Sequence, residues 1–309
     1  MSSRVVVVGS INMDMFAMVS ELPRTGETVL GNRFFSTVGG KGANQATAIA
    51  RLSTPVSFVA KVGKDPFGEQ MLTVLKENGI DTRFVFTDSL SSSGVALVNV
   101  DKTGENTIVV IPGVNQLLSE EDILKAQDEI AQARVLVSQL EIPHRTVETA
   151  FEVARRHKVK TILNPAPGSK LSPKLLNKVD VLTPNETELG NLFDEKITTE
   201  AAMKQSCYRL LDMGVKSIAL TLGKEGVLMV SQEGFQHYSA LKVKVVDTTG
   251  AGDAFTGGLA AFLSEGLELD QAVKKAIQVA GYSVTKLGAQ PSLPTRMELE
   301  EFVRIVTGK

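Results

Sequence analysis

The chain has 309 residues, 43% of them hydrophobic and 22% charged, with a formal net charge of −2. One cysteine, three scattered histidines and no long basic run argue against a disulfide framework, a cysteine- or histidine-based zinc site and a nucleic-acid surface. Tryptophan is absent and aromatics make up 5%, so no stacking platform for bases is available either.

Taken in chain order, Val5–Gly9 reads as a first buried strand; it is too short for a secretory apolar region, and no later apolar run reaches membrane-spanning length. This suits a soluble, cytoplasmic protein with no membrane or nucleic-acid partner. Asn12 and Asp14 follow the strand. Their alternation lets both point the same way, offering donors and acceptors to vicinal hydroxyls, although turn chemistry is the plain alternative. Gly39-Gly40-Lys41-Gly42-Ala43-Asn44-Gln45-Ala46 is a glycine turn entering a small-residue helix. It is not a Walker-A loop, because glycine follows Lys41 where Ser or Thr is required. Asn44 in the first turn, beside exposed amides, suits a polyhydroxy ligand; otherwise Asn44 caps the helix and Lys41 is solvated.

Strands are expected at Val56–Val62, Val135–Gln139, Thr161–Leu163, Val181–Leu182 and Ser217–Thr221. Helices are expected near Gly42–Leu52, Phe67–Asn78, Glu120–Ala133, Thr146–His157, Glu200–Met213, Ala254–Glu265 and Leu269–Lys286. This alternation predicts one α/β domain over residues 1–309, with a mostly parallel central sheet flanked by helices and ligands at the carboxyl ends of strands. Four further strands, near 15–19, 33–37, 94–100 and 106–110, have no helix between partners, and Asp101–Glu105 is a hairpin connection. They predict a small second sheet that covers the site, a second subunit, or both; an extension of the main sheet is the alternative.

Asn185 and Glu188 fit a capping box, or else share a helix face and organise water around Mg²⁺. Thr221-Leu222-Gly223-Lys224-Glu225-Gly226 is a glycine turn or a nucleotide rim. The most informative stretch is Asp247-Thr248-Thr249-Gly250-Ala251-Gly252-Asp253. Following the apolar run Leu241–Val246, it reads as strand, tight turn and helix, with Asp253 in the first helical turn. Unpaired N–H groups and the dipole at a helix start attract phosphate. An acid there is a poor phosphate ligand but a suitable base for a hydroxyl that attacks phosphate. The alternative is an ordinary helix behind a glycine turn.

Together these motifs resemble the paired signatures of the PfkB carbohydrate kinase family, with Asn185–Glu188 similar to its Asn-x-x-Glu element and Thr221–Gly226 to its nucleotide loop. The wording at Ser10–Asp14, Gly40–Asn44 and Gly288–Ser292 is most similar to the ribose-phosphorylating branch. The resemblance implies ATP-dependent phosphorylation of the D-ribose 5-hydroxyl; kinases for deoxyribose, fructose or adenosine, and a non-catalytic sugar binder on the same fold, are the alternatives. It implies that Asn12, Asp14, Gly40, Lys41, Gly42, Ala43, Asn44 and Glu141 hold the sugar. Asp253 is then the base, and Gly250, Ala251, Gly252 and the Asp253 amide form an anion hole. Asn185, Thr221, Leu222, Gly223, Lys224, Glu225, Gly226, Gly252 and Ile277 face ATP, with Ile277 standing where relatives often carry Asn or His. Asp247, Thr249, Ser283, Lys286, Gly288 and Ser292 match positions around an activating monovalent cation, typically potassium. The small sheet is implied to be a lid and a homodimer contact.

Overall fold

A computed structural model describes residues 5–308. Strand β1 (Val5–Val8) is four buried valines. Val5 and Val7 enter one apolar layer, Val6 and Val8 the other. A strand buried on both faces has this composition because successive side chains point to opposite sides. The chain then leaves this sheet for β2 (Asn12–Val19) and β3 (Gly31–Gly39), and returns through α1 (Lys41–Arg51), β4 (Val56–Gly63), α2 (Pro66–Glu77) and β5 (Asp81–Asp88). It leaves again for β6 (Gly94–Val100) and β7 (Asn106–Ile111). From there it alternates through α3 (Glu120–Lys125), α4 (Gln127–Ala131), β8 (Val135–Ser138), α5 (His144–Arg156), β9 (Lys160–Leu163), α6 (Pro173–Leu176), β10 (Val181–Leu182), α7 (Glu186–Phe193), α8 (Glu200–Asp212) and β11 (Ser217–Thr221). A meander, β12 (Val227–Ser231) and β13 (Gly234–Tyr238), precedes α9 (Ala251–Ser264), α10 (Leu269–Ser283) and α11 (Arg296–Thr307).

Among the described residues the main sheet has nine strands, ordered β13-β12-β11-β10-β9-β8-β1-β4-β5. Its pairs are parallel from β5 to β11, and toward the other edge β12 and β13 pair antiparallel with their neighbours. The small sheet is separate, ordered β3-β2-β6-β7. It is mixed, because β2 pairs parallel with β6 while β3 and β7 pair antiparallel with their neighbours. Helices α1 and α9 pack closely where α9 carries Gly257. A Cβ there would lie 2.7 Å from Ala48 Cβ and 2.9 Å from the Gln45 carbonyl oxygen.

Three expectations need correction. Leu241–Val246 is not a strand; Val245 and Val246 are exposed, and the Val246 and Asp247 N–H groups both donate to the Val284 carbonyl. The run has no neighbouring strand to bond with, so its apolar composition alone did not make it one. Residues 120–133 form two helices that meet at Ala126, whose backbone (φ −96°, ψ 4°) departs from the helix. The helix expected to end at Lys286 stops at Ser283. The sequence reading also passed over β5, α6 and α11.

Candidate active site

Helix α9 starts at Gly250, whose φ of 74° an L side chain rarely adopts. The Ala251 N–H donates to the Thr248 carbonyl at 3.2 Å, so it is not available as the sequence reading expected. The Gly252 and Asp253 N–H groups have no acceptor among the described residues. A Cβ at Gly252 would meet nothing within 4 Å, so a group can approach this helix start freely.

The Asp253 carboxylate is buried, and both of its oxygens accept amide hydrogens. Asn44 Nδ2 donates to Oδ2 at 3.0 Å and Gln45 Nε2 to Oδ1 at 2.9 Å. Asn44 therefore does not cap α1, whose N-cap is Gly40 with no side-chain capping bond. Its Oδ1 is buried without a partner among the described residues, which leaves an acceptor for a ligand. Glu141 is anchored rather than surface-exposed: its Oε2 accepts the Lys41 N–H at 3.0 Å and the Ser10 hydroxyl. Asn12 and Asp14 both lie on β2, two residues apart and so on one face. Gly39 gives Asp14 its space, since a Cβ there would lie 1.9 Å from Asp14 Oδ2.

Beside these groups lies a cavity of about 150 Å³. Its walls are Lys41 from α1, Asn185 and Glu188 at the start of α7, Thr221 at the end of β11, Thr248 and Gly250–Asp253 at the start of α9, with Asn164 and Thr183 between them. Leu222–Gly226 and Ile277 do not line it. Gly223–Glu225 form a 3₁₀ turn beyond Thr221, and Ile277 lies in the apolar core. Asn185 and Glu188 do form a reciprocal capping box, and Glu188 still faces the cavity.

The electrostatics follow from one lysine set among four carboxyls. Burial raises the Asp14 pKa to about 7, helped by Glu141 and Asp253. Burial also raises Asp253, although Lys41 and the Asn44 and Gln45 amides pull it back, and it raises Glu188. Burial alone would lower Lys41; the carboxylates of Asp253, Glu141 and Glu188 outweigh it and hold Lys41 above its ordinary value. Lys41 is therefore a half-buried cation at the cavity wall, not the freely solvated side chain of the plain alternative.

At the rear of the same turn, Asp247 Oδ1 accepts the Thr249 N–H and hydroxyl, and Oδ2 accepts the Gly288 N–H at 2.8 Å. This ties the loop before α9 to the segment after α10. The Ser283 and Ser292 hydroxyls donate to the Ala280 and Ala289 carbonyls. The Lys286 amine turns to Tyr282 and Glu298.

Sequence reasoning missed Gln45, Gln139, Asn164, Thr183 and Asn115. Gln45 sat unread beside Asn44 in the glycine-rich motif. Gln139 is a polar residue ending an apolar strand run, the same signal that singled out Asn12. Asn115 pairs with the backbone of Ile11 through both ends of its amide and donates to Asn12 Oδ1 at 2.8 Å. No local pattern announces it, because its partners are more than a hundred residues away.

A family model described as the pfkB family carbohydrate kinase matches residues 2–296. The chain belongs to the pfkB family of carbohydrate kinases. A Haemophilus influenzae ribokinase is 39% identical, with 98% of this chain and 99% of that protein covered. A Salmonella typhi deoxyribokinase is 36% identical over 97% of this chain and 99% of that protein. Among solved structures, a Thermotoga maritima ribokinase superposes with a TM-score of 0.89 at 35% identity, covering 97% of this chain and 99% of that one. An Arabidopsis thaliana ribokinase complexed with ribose and ATP gives 0.90 at 30% identity, covering 98% and 99%. As a pfkB sugar kinase, the protein has its buried acid, its lysine and its open helix start grouped around one cleft.

Proposed function

We propose that this kinase transfers the γ-phosphoryl group of ATP to the 5-hydroxyl of D-ribose, giving ribose 5-phosphate and ADP. The observation that carries the reading is a buried carboxylate, Asp253, held by two amides at a helix start whose own N–H groups are unpaired. Asn12, Asp14, Gly40–Asn44 and Glu141 orient the sugar, and the unpartnered Asn44 Oδ1 accepts one of its hydroxyls. Asp253 takes the hydroxyl proton as attack begins, and the burial that raises its pKa makes it a stronger base than a free carboxylate. The Gly252 and Asp253 N–H groups, with Lys41, stabilise charge that develops on the transferred group. Asn185, Thr221–Gly226 and Ile277 form the nucleotide side, Ile277 packing from the core beneath it.

Two cations belong to this reading. Glu188 and Asn185 fit a hydrated Mg²⁺: Glu188 is a cavity-facing carboxyl with one oxygen left outside its capping bond. Such an ion neutralises nucleotide phosphate charge. Asp247 is tied to Thr249 and Gly288, and Ser283, Ser292 and the Lys286 backbone would complete a set of oxygen donors around that carboxylate. That donor set fits a monovalent cation such as potassium, whose role is to hold the loop preceding α9 in shape.

The small sheet carries Asn12 and Asp14 and is proposed to close over the sugar as a lid on one 1–309 domain. Its strand β7 leaves Ile108, Val109, Val110 and Ile111 exposed, which supports a homodimer formed by covering this face. No helix among the described residues is long and apolar enough to cross a membrane. The buried free thiol of Cys207 supports a cytoplasmic setting.

The deoxyribokinase relative favours 2-deoxyribose as a second reading. An ADP-release assay over ribose, 2-deoxyribose, fructose and adenosine, with and without potassium, separates them. The proposal requires the highest kcat/KM with ribose, and sugar binding without ADP release would overturn it.

A further inference from the structure

We infer that Gln45, oriented by Asn164 and Gln139, is a positioning residue that keeps the Asp253 carboxylate ionised and aimed for proton abstraction. The inference rests on Asp253 being the base proposed above.

The orientations of Asn164 and Gln45 are set by their neighbours. The Thr183 carbonyl can only accept, so Asn164 turns Nδ2 toward it, at 3.0 Å. Asn164 Oδ1 then faces Gln45, and Gln45 Nε2 donates to it at 3.2 Å. The second hydrogen of Gln45 Nε2 goes to Asp253 Oδ1 at 2.9 Å. On the other side Gln139 Nε2 donates to Gln45 Oε1 at 2.6 Å. A flipped Gln45 would set its oxygen against two acceptors and its NH₂ against the Gln139 NH₂. The donor toward Asp253 is therefore fixed by the two acceptors that Gln45 Nε2 faces, with Gln139 turned to match and its own Oε1 left without a partner among the described residues.

Gln45 and Gln139 are both 0% exposed, and neither lines the cavity. Gln45 thus differs from Asn44, the other amide on Asp253. Asn44 has an unpartnered oxygen to offer a sugar. Gln45 has no duty toward a ligand, so its bond to Asp253 persists through binding and turnover. Such a constant donor is needed because the charged groups facing Asp253 are mostly acidic: Glu141 after β8, Asp14 on β2 and Glu188 on α7, against Lys41 on α1 alone. A donor to the carboxylate favours its ionised form, which is the form that accepts a proton.

The test is the pH dependence of kcat at saturating ribose and ATP in wild type, Gln45→Met, Gln139→Met and Asp253→Asn; saturation keeps Asp14 in its sugar-bound form, so its titration at about 7 in the free protein does not set the limb. Gln45→Met keeps approximate volume and deletes the donor. We expect its acid limb to move to higher pH, with about tenfold loss below the limb that recovers toward wild type in alkali, one pH unit being tenfold. Gln139→Met removes the bond to Gln45 Oε1, loosens Gln45 and moves the limb the same way by less. A uniform loss at every pH, or an unshifted limb, overturns the inference. If Gln45→Met gives no cooperative melt, Gln139→Met decides by the same criterion. Asp253→Asn separates the two claims: near-normal turnover refutes the base itself, whereas a dead Asp253→Asn with unshifted glutamine variants refutes only the positioning role.

Discussion

Asp14 makes the stability of the sugar-free protein depend on pH. Its carboxyl titrates near 3.8 in the unfolded chain and about 7 in the fold, first because it is buried and then because Glu141 and Asp253 stand nearby. A raised folded pKa means that the native state holds the proton more tightly than the unfolded chain does. Its contribution is complete below about pH 4 and is lost as pH climbs to about 7. Roughly three units at ~1.36 kcal/mol each give ~4 kcal/mol. The Asp14 side chain keeps a partial opening to solvent, so that figure is a ceiling and ~2 kcal/mol is the working expectation. Asp14→Asn removes the term. Urea unfolding of the sugar-free protein from pH 4.5 to 8.5 should show the variant matching wild type at the acid end and exceeding it by ~2 kcal/mol at pH 8. Asp253 and Glu188 also titrate upward and are present in both proteins, so the difference between the two curves reports Asp14 together with its coupling to Asp253. Sugar hydroxyls that bond the ionised carboxylate should release a proton on binding near pH 6, visible as a buffer-dependent heat in calorimetry. Parallel curves for wild type and Asp14→Asn across the whole range would refute the reasoning.

Three further outcomes are expected. Gly252→Val adds its side chain to open space, so the melting temperature should change little while turnover falls ~10²-fold as phosphate loses its approach to the helix start; a melting loss equal to the activity loss would contradict this. Gly257→Val drives a branched side chain into Ala48 and the Gln45 backbone, and denaturant titration should register ~1–3 kcal/mol of destabilisation with reduced kcat, because α1 and α9 carry Lys41, Asn44, Gln45 and Asp253. Exchanging potassium for sodium should depress kcat strongly while ATP affinity, read by fluorescence or calorimetry, changes less; equal rates in both salts would remove the cation from the scheme.

The separation of four strands into a second sheet came from the fold, but the sequence by itself determined the α/β alternation, those four strands with no helix between partners and the order of the polar motifs. These are local properties: Val5–Val8 can only be a strand buried on both sides, and Gly250–Asp253 must begin a helix with its acid in the first turn. Leu241–Val246 shows where local composition ends as a guide, since a strand needs a neighbour to bond with and that run has none. What only the tertiary structure decided is which groups meet. The bonds from Asn44 and Gln45 to Asp253 span more than two hundred residues, and Glu141 reaches Lys41 across one hundred. Pairings of that kind depend on the sheet order and on the close approach of α1 and α9, neither of which is written in any short window. For the same reason the charge state of Asp14 could not be read from its neighbours in the chain: it is set by burial and by two acids brought to it through the fold.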